Sequence, residues 1–412
     1  MRRKKLLIVL ACLFSIQVYP QLKVDVGRKN FEISVRNTTN KTRENQPVVL
    51  SLSDIIMRSA VVKDGKKEIP CQMDDLDVDG NMNEVAFVVH LKPFEEKKLK
   101  IELSFDSDTI TRFPKKVHAQ LLKKLEDKSF VSVDMMESNT GDLYNDLHHH
   151  GPAFESELIA YRIYFDQKQT IDLYGKKKKQ LELEQTNWYP TDEQLEKGFG
   201  DDILRVSGSV GLGTLKGWSG DKAIHISPVE NRKARIIANG PVRTIIDMTS
   251  SGWEYMGEKF TMISRYTMYT GHRDVEVSNI LIKDTDAGIA PIPNNIIFCT
   301  GVQKMPESEK FADNDGLLGI WGTDWPVNDT IKYAKQTVGL GIYIPDEYII
   351  RNAEDKVNHL MLLHNDDDYQ IKYYITAASE KEEFGYKSAA NFFEYLKDWK
   401  EELRQPIEIV IK

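Results

Sequence analysis

Along most of this chain apolar and polar residues alternate with a period of two. FEISVRN from Phe31, VAFVVHL from Val85 and VRTIIDM from Val242 all show it. Successive side chains of a strand point to opposite faces, so such segments predict half-buried strands. Turn signals separate them, among them KDGKKE and the aspartate-rich DDLDVDGNMNE. The period changes near the end. In SAANFFEYLKDWKEEL, Phe392, Phe393, Leu396, Trp399 and Leu403 recur at helical spacing and Pro406 supplies a stop. A shorter helical turn is predicted from Thr191 to Lys197, with Thr191 as N-cap ahead of acidic residues, and IEIVIK reads as a final strand. The fold expected is mainly β: a small β-sandwich over residues 21–106, then a larger sandwich over residues 107–412 that carries one C-terminal helix.

The first twenty residues break the alternation. Arg2 to Lys5 precede an apolar run from Leu6 to Val18, the layout of a secretory signal, so residues 1–20 are expected to be removed and the protein exported to the periplasm or cell surface. The run falls short of the roughly 20 residues that cross a bilayer, and no later segment is longer. Val9-Leu10-Ala11-Cys12 has the outline of a lipoprotein box, but too few apolar residues precede Cys12 and the run continues past it, which makes a lipid anchor the weaker reading. Loss of Arg2, Arg3, Lys4 and Lys5 takes the formal net charge from −8 to −12. That excess of acid argues against nucleic acid or an anionic membrane as partner. Cys71 and Cys299 are then left as two separate thiols rather than a disulfide framework.

No GxSxG, HExxH or CxxC pattern occurs, which weakens serine hydrolase, zinc protease and zinc-finger readings. GSVGLGTLKGW from Gly208 lacks the GxGxxG spacing and a following helix, so it reads as a hairpin and not as a phosphate cradle. No organic cofactor is expected. The run Lys176 to Lys179 follows DLYG and reads as a solvated turn. In the aspartate loop, Asp75, Asp77 and Asp79 alternate ahead of Gly80, with Asn83 and Glu84 beyond. Hard oxygen ligands at that spacing suit calcium, although Ala86 stands where an EF-hand places glutamate. Structural Ca2+ and an acidic hairpin without an ion both remain open.

The richest stretch is HHHGPAFESELIAYRIYFD, His148 to Asp166. If IAYRIYFD is a strand, Ile159, Tyr161, Ile163 and Phe165 face a core while Arg162, Tyr164 and Asp166 share the other face. Arginine can grip a carboxylate, and histidine and tyrosine can move a proton, so that face approached by His150 suits an anionic sugar. A zinc site built on His148 and His150 lacks a third ligand at a fitting spacing. Trp188, Tyr189, Trp218, His272 and Arg273 lie at turns or strand ends, where they could line a sugar-binding groove.

DLYGKKKKQLELEQTNWYPTDEQLEKGFGDDILRVSGSVGLGTLKGW and NGPVRTIIDM resemble an uncharacterised family of exported proteins from polysaccharide-degrading Gram-negative bacteria. The resemblance extends to His150-Gly151-Pro152, to Tyr161 to Asp166 and to the loop Asp75 to Glu84. It implies a galactose-mutarotase-like supersandwich and genetic company with enzymes of pectin and other uronate glycans. The function expected on these grounds is a polysaccharide lyase acting by β-elimination, with Arg162 or Arg243 neutralising the uronate carboxylate, His150 as base and Tyr164 as acid. The alternatives are a non-catalytic glycan-binding protein, a glycoside hydrolase using carboxylates such as Glu155, Glu157 or Asp166, and a sugar epimerase.

Overall fold

Alternating segments become strands wherever one side of the alternation finds a core, and here two cores form. The computed structural model describes residues 21–23, 30–52, 57–105, 113–285, 288–290, 292–293, 295–365 and 369–412. The expected signal segment and Cys12 lie outside them. Two compact units result, the first taking in the described residues up to Lys115 together with Gly240–Arg243 and Glu401–Lys412, the second made of Lys116–Asn239 and Thr244–Lys400.

The first unit is a sandwich of a four-stranded and a five-stranded sheet. Ile33 and Val35 from one sheet meet Val48, Leu50, Val85 and Phe87 from the other, all fully buried. Its boundary differs from the one read in the sequence. The last strand, Glu408–Ile411, does not close the large unit but pairs antiparallel with Asn30–Arg36, Ile33 opposite Ile411. Ile407 and Ile409 thereby enter the first core, and an edge that would otherwise stand open is covered.

Arg243 also belongs here and not to a substrate groove. Its guanidinium is buried between Asp74 and Glu84, at 2.7 and 2.5 Å. Gln72 completes the knot, its Oε1 accepting from the backbone N–H groups of Val242 and Arg243 while its amide donates to Asp74.

In the second unit a ten-stranded sheet shares one continuous core with two five-stranded sheets. One five-stranded sheet runs Asp201–Asp202, Ile171–Gly175, Ile159–Ile163, Ala153–Ser156, Val117–Gln120; the other runs Ala223–Ile224, Lys216–Trp218, Phe298–Gln303, Asn358–Leu363, Ile349–Glu354. The mainly β sandwich class read from the sequence is what the chain adopts. The helix Ala389–Arg404 buries Phe392, Leu396, Trp399 and Leu403 as its periodicity predicts. Gly319, Gly339 and Gly341 clear the space for Phe392 and Leu396 against the large sheet. Thr191 caps the short helix Asp192–Glu196 in a reciprocal box with Gln194.

Replacing Arg243 with Met leaves two carboxylates buried without a cation, and breaking such a pair costs about 3–5 kcal/mol. Urea unfolding of the first unit should show that loss. A change under about 1 kcal/mol, the worth of a surface pair, would contradict the role given to the knot.

Candidate functional site

The strand Ile159–Ile163 is buried on both faces, which the alternation alone did not foretell. Ile159, Tyr161 and Ile163 enter the main core, and the Tyr161 hydroxyl donates to the Arg273 carbonyl at 2.6 Å. The other face is roofed by the segment that follows the lysine run. Leu183 and Trp188 pack on Ala153, Ala160 and Tyr174. A fully exposed turn of lysines would not hold that roof down. Lys176 is instead buried, its ammonium 2.5 Å from Glu155 and bonded to the carbonyls of Ser156 and Gln180. Glu155 in turn accepts from the N–H groups of Glu182 and Leu183.

Under this roof Arg162 is only 4 % exposed. Asp172, directly opposite on the neighbouring strand, takes Nε at 3.0 Å and Nη2 at 2.6 Å. Asp202 takes Nη2 at 3.0 Å, and Nη1 donates to the Tyr189 hydroxyl at 3.0 Å. Trp188 lies face-on to the guanidinium at 4.5 Å and donates its indole N–H to Asp202. Burial, then the Asp172 charge, pushes the Asp202 carboxyl well up from the usual range. The Tyr164 hydroxyl accepts from Arg162 at 2.9 Å and donates to Asp172 at 2.7 Å. Burial, then Asp172, raises its pKa, so it keeps its proton.

The histidine loop borders this cluster. Gly151 lies so close to the Ile163 carbonyl oxygen that any Cβ would collide with it, and His150 O accepts from Phe165 N at 2.8 Å. His149 and His150 have φ of 41° and 69°, while Asn187 and Trp188 in the roof have 45° and 76°. Left-handed backbone at four non-glycine residues around one cluster is strain of the kind that gathers at functional sites.

His150 stacks on Tyr144, with centroids 3.8 Å apart and planes 5° apart. Its Nδ1–H donates to the Tyr144 carbonyl at 2.8 Å, which leaves Nε2 with its lone pair. The Tyr164 ring is 6.0 Å away. Burial lowers the His150 pKa below the ordinary value, so the ring is neutral at pH 7. His148 is fixed the other way round, Nε2–H donating to the Asn187 carbonyl at 2.9 Å. His149 is buried, accepts from the Gln120 amide at Nε2, and has no partner at Nδ1 among the described residues. Lys168 carries its ammonium 5.6 and 5.3 Å from the rings of Tyr144 and Tyr164. Tyr189, 47 % exposed, is the open edge of the cluster.

The structure therefore gathers His150, Tyr164, Arg162, Trp188 and Tyr189 and leaves the other expected residues elsewhere. Trp188 is fully buried, and Trp218 packs on Val210, Cys299, Leu360 and Leu362, so neither offers a ring face to a sugar. Arg273 is spent on Glu382 and the Ala377 carbonyl, and His272 bonds Asp274 at 2.9 Å. In the aspartate loop the carboxylates of Asp75, Asp77 and Asp79 come within 4.8 Å of one another and could offer three oxygens to a hard cation. Asn83 and Glu84 are engaged otherwise, the first by Leu76 N and the second by Arg243. Sequence reading missed Asp172, Asp202, Tyr144 and Lys168. The legible signal was Asp172 itself, an acid inside the apolar strand IDLYG, where aspartate is depleted.

A family model described as a domain of unknown function (DUF4861) matches residues 35–409. The chain belongs to that family. No curated protein matches the sequence. Among solved structures, a protein in glycosyl hydrolase family 38 from Enterococcus faecalis is similar, with a TM-score of 0.47 and 11 % identity over 94 % of this chain and 48 % of that one. An alpha-mannosidase from Enterococcus faecalis V583 is similar as well, with a TM-score of 0.48 and 11 % identity over 96 % of this chain and 46 % of that one. The chain thus spans about half the length of the structures it matches.

Burial, followed by the neighbouring His148, Arg162 and His150 charges, holds the His149 pKa well down in the fold. An unfolded histidine titrates near about 6.5. Above that pH both states are neutral and the full stability is present. Below it the unfolded chain takes a proton that the folded one refuses, so stability falls with pH. Urea midpoints measured between pH 7.5 and 5.5 should drop, and His149→Gln should reduce the slope. An unchanged slope in the variant would rule His149 out as its source.

Proposed function

We propose that this chain is an exported carbohydrate-active enzyme of galactose-mutarotase-like sandwich type that cleaves a uronate-containing, pectin-like glycan by β-elimination. The observation that carries the reading is the placement of His150, whose Nδ1–H is committed to the Tyr144 carbonyl so that Nε2 keeps its lone pair, with the Tyr164 ring 6.0 Å away. Elimination removes the C5 proton, breaks the bond from C4 to the glycosidic oxygen and leaves a C4–C5 double bond. One proton leaves C5 and the other arrives at the oxygen departing from the adjacent C4, so base and acid must be near neighbours. His150 takes the C5 proton. Tyr164, held protonated, turns its O–H from Asp172 to the departing oxygen and gives up the proton there, while Arg162 still donates to the phenolic oxygen.

Arg162 has a different part from the one its sequence position suggested. Its charge is answered by Asp172 and Asp202, so it orients Tyr164 and does not grip the substrate. Lys168 at the rim draws in the uronate carboxylate, and Tyr189 offers an exposed ring to the sugar. A hydrolase would need two carboxylates facing one cleft, whereas Glu155 is locked to Lys176.

Incubation with a panel of uronate polysaccharides should raise both the ultraviolet absorbance of an unsaturated uronate and the count of reducing ends. His150→Ala and Tyr164→Phe should each lower kcat/KM at least about 100-fold, the scale of general acid–base catalysis, with folding intact. Because burial lowers the His150 pKa, the acidic limb of the pH profile should have its midpoint below about 6.5. Reducing ends without absorbance would replace elimination by hydrolysis. Binding without either signal would make the protein a glycan binder.

A further inference from the structure

Buried lysines in the second unit come with carboxylates. Lys176 has Glu155, Lys372 has Glu276 at 3.1 Å, and Lys400 has Asp313 and Asp315 at 2.6 and 2.5 Å. Lys216 is the exception. It is 1 % exposed, and its ammonium nitrogen meets His225 Nδ1 at 2.8 Å. Among the described residues no carboxylate oxygen stands within ion-pairing distance of it.

The local fold holds this pair in place. The strand Lys216–Trp218 is joined by a short turn to Ala223–Ile224, with Gly217 opposite Ile224, so Lys216 and His225 face each other one position further along. On the other side Lys216 pairs with Cys299. The Tyr255 hydroxyl accepts from Trp218 N at 2.7 Å and bonds the Trp218 carbonyl, pinning the hairpin.

A buried ammonium without a counter-ion is costly, and burial is the main reason that the Lys216 amine is pushed down to about 7. Cys299, Asp166 and Asp355 act to raise it and Lys168 to lower it. His225 is pushed down to about 4 by burial, then by Lys216, with Asp166 and Lys168 acting in opposite senses. The segment that carries Lys216 lies against the turn that carries Asp166 and Lys168, since Thr214 Oγ1 accepts from Ile171 N at 2.9 Å and donates to the Gln169 carbonyl at 3.4 Å, and Lys168 in that turn stands over Tyr144 and Tyr164. His225 is only half-buried and is the outward member.

We propose that His225 and Lys216 form a proton-relay pair of the same site, in which His225 protonates the substrate carboxylate while the C5 proton is removed and Lys216 is the positioning residue behind it. This rests on the elimination reading and adds to the attraction by Lys168 the neutralisation of the carboxylate that Arg162 does not perform. The charged amine donates to Nδ1, which puts the imidazole proton on Nε2. As Nε2–H gives its proton to a carboxylate oxygen, an ammonium proton passes to Nδ1. The imidazole is neutral before and after, the substrate gains one proton, and Lys216 ends as a neutral amine that solvent recharges.

The test is nuclear magnetic resonance titration of the full chain carrying labelled lysine and histidine, alongside kcat/KM against pH on a uronate polysaccharide. One lysine should titrate near 7 and its signal should vanish in Lys216→Met. In that variant the His225 pKa should rise from about 4 toward the ordinary histidine value. Activity should fall at least about tenfold, and the alkaline limb near pH 7, where Lys216 loses its proton, should disappear. His225→Gln should lose activity to the same extent. Every lysine titrating near about 10.4 in the unaltered protein would overturn the relay whether or not the variant folds. So would a working lyase whose pH profile is unchanged in Lys216→Met. A pair that titrates as described in a protein that leaves every uronate glycan intact would overturn the elimination reading and not the pair.

Discussion

The second unit is organised around a guanidinium almost wholly withdrawn from water. Arg162 stands in the middle of a five-stranded sheet, and a buried cation persists only where anions and hydrogen-bond acceptors surround it. Asp172, Asp202, Tyr164 and Tyr189 do so, and Trp188 closes the remaining side. The roof from Leu183 to Gly200 is therefore a requirement of the strand beneath it. Lys176 and Glu155 anchor one end of that roof, and the Glu182 carboxylate accepts from Tyr174 and Gly200 N near the other.

The histidine loop gains its shape from the same constraint. Gly151 allows the loop to lie against the Ile163 carbonyl, and the chain must then turn through two left-handed histidines to come back along Tyr144. Three adjacent histidines end with three separate duties. His149 is a buried packing residue, His148 binds the roof, and His150 faces Tyr164. Identity and proximity in sequence would have grouped them, whereas their ring hydrogen bonds separate them.

Periodicity carried most of the fold. The alternating segments became strands, and the apolar stripe of the C-terminal helix became its buried face. The strand Glu408–Ile411 was foreseen but not its partner, because strand pairing is long-range and its alternation is silent about which sheet it will join. At the candidate site, His150, Arg162 and Tyr164 were legible from their place beside one strand. Arg243 and Arg273 were not separable from Arg162, since all three are arginines in β context, and only the structure shows that carboxylates answer all three charges while Arg162 alone stands beside Tyr164 and the histidine loop. Lys176 was misread for the same reason: a run of lysines looks solvated until a buried glutamate is found opposite one of them. Lys216 left no trace, because what distinguishes it is that its neighbour is a histidine and not a carboxylate.

The pairing of Glu408–Ile411 with Asn30–Arg36 joins strands from opposite ends of the described chain into one sheet. The first unit begins to be made early, yet its five-stranded sheet keeps a bare edge until residues from far downstream arrive, after the whole of the second unit has been made. The smaller sandwich thus depends on residues from both sides of the larger unit in sequence, and a lesion in Glu408–Ile411 acts on strands that lie nearly four hundred residues away along the chain.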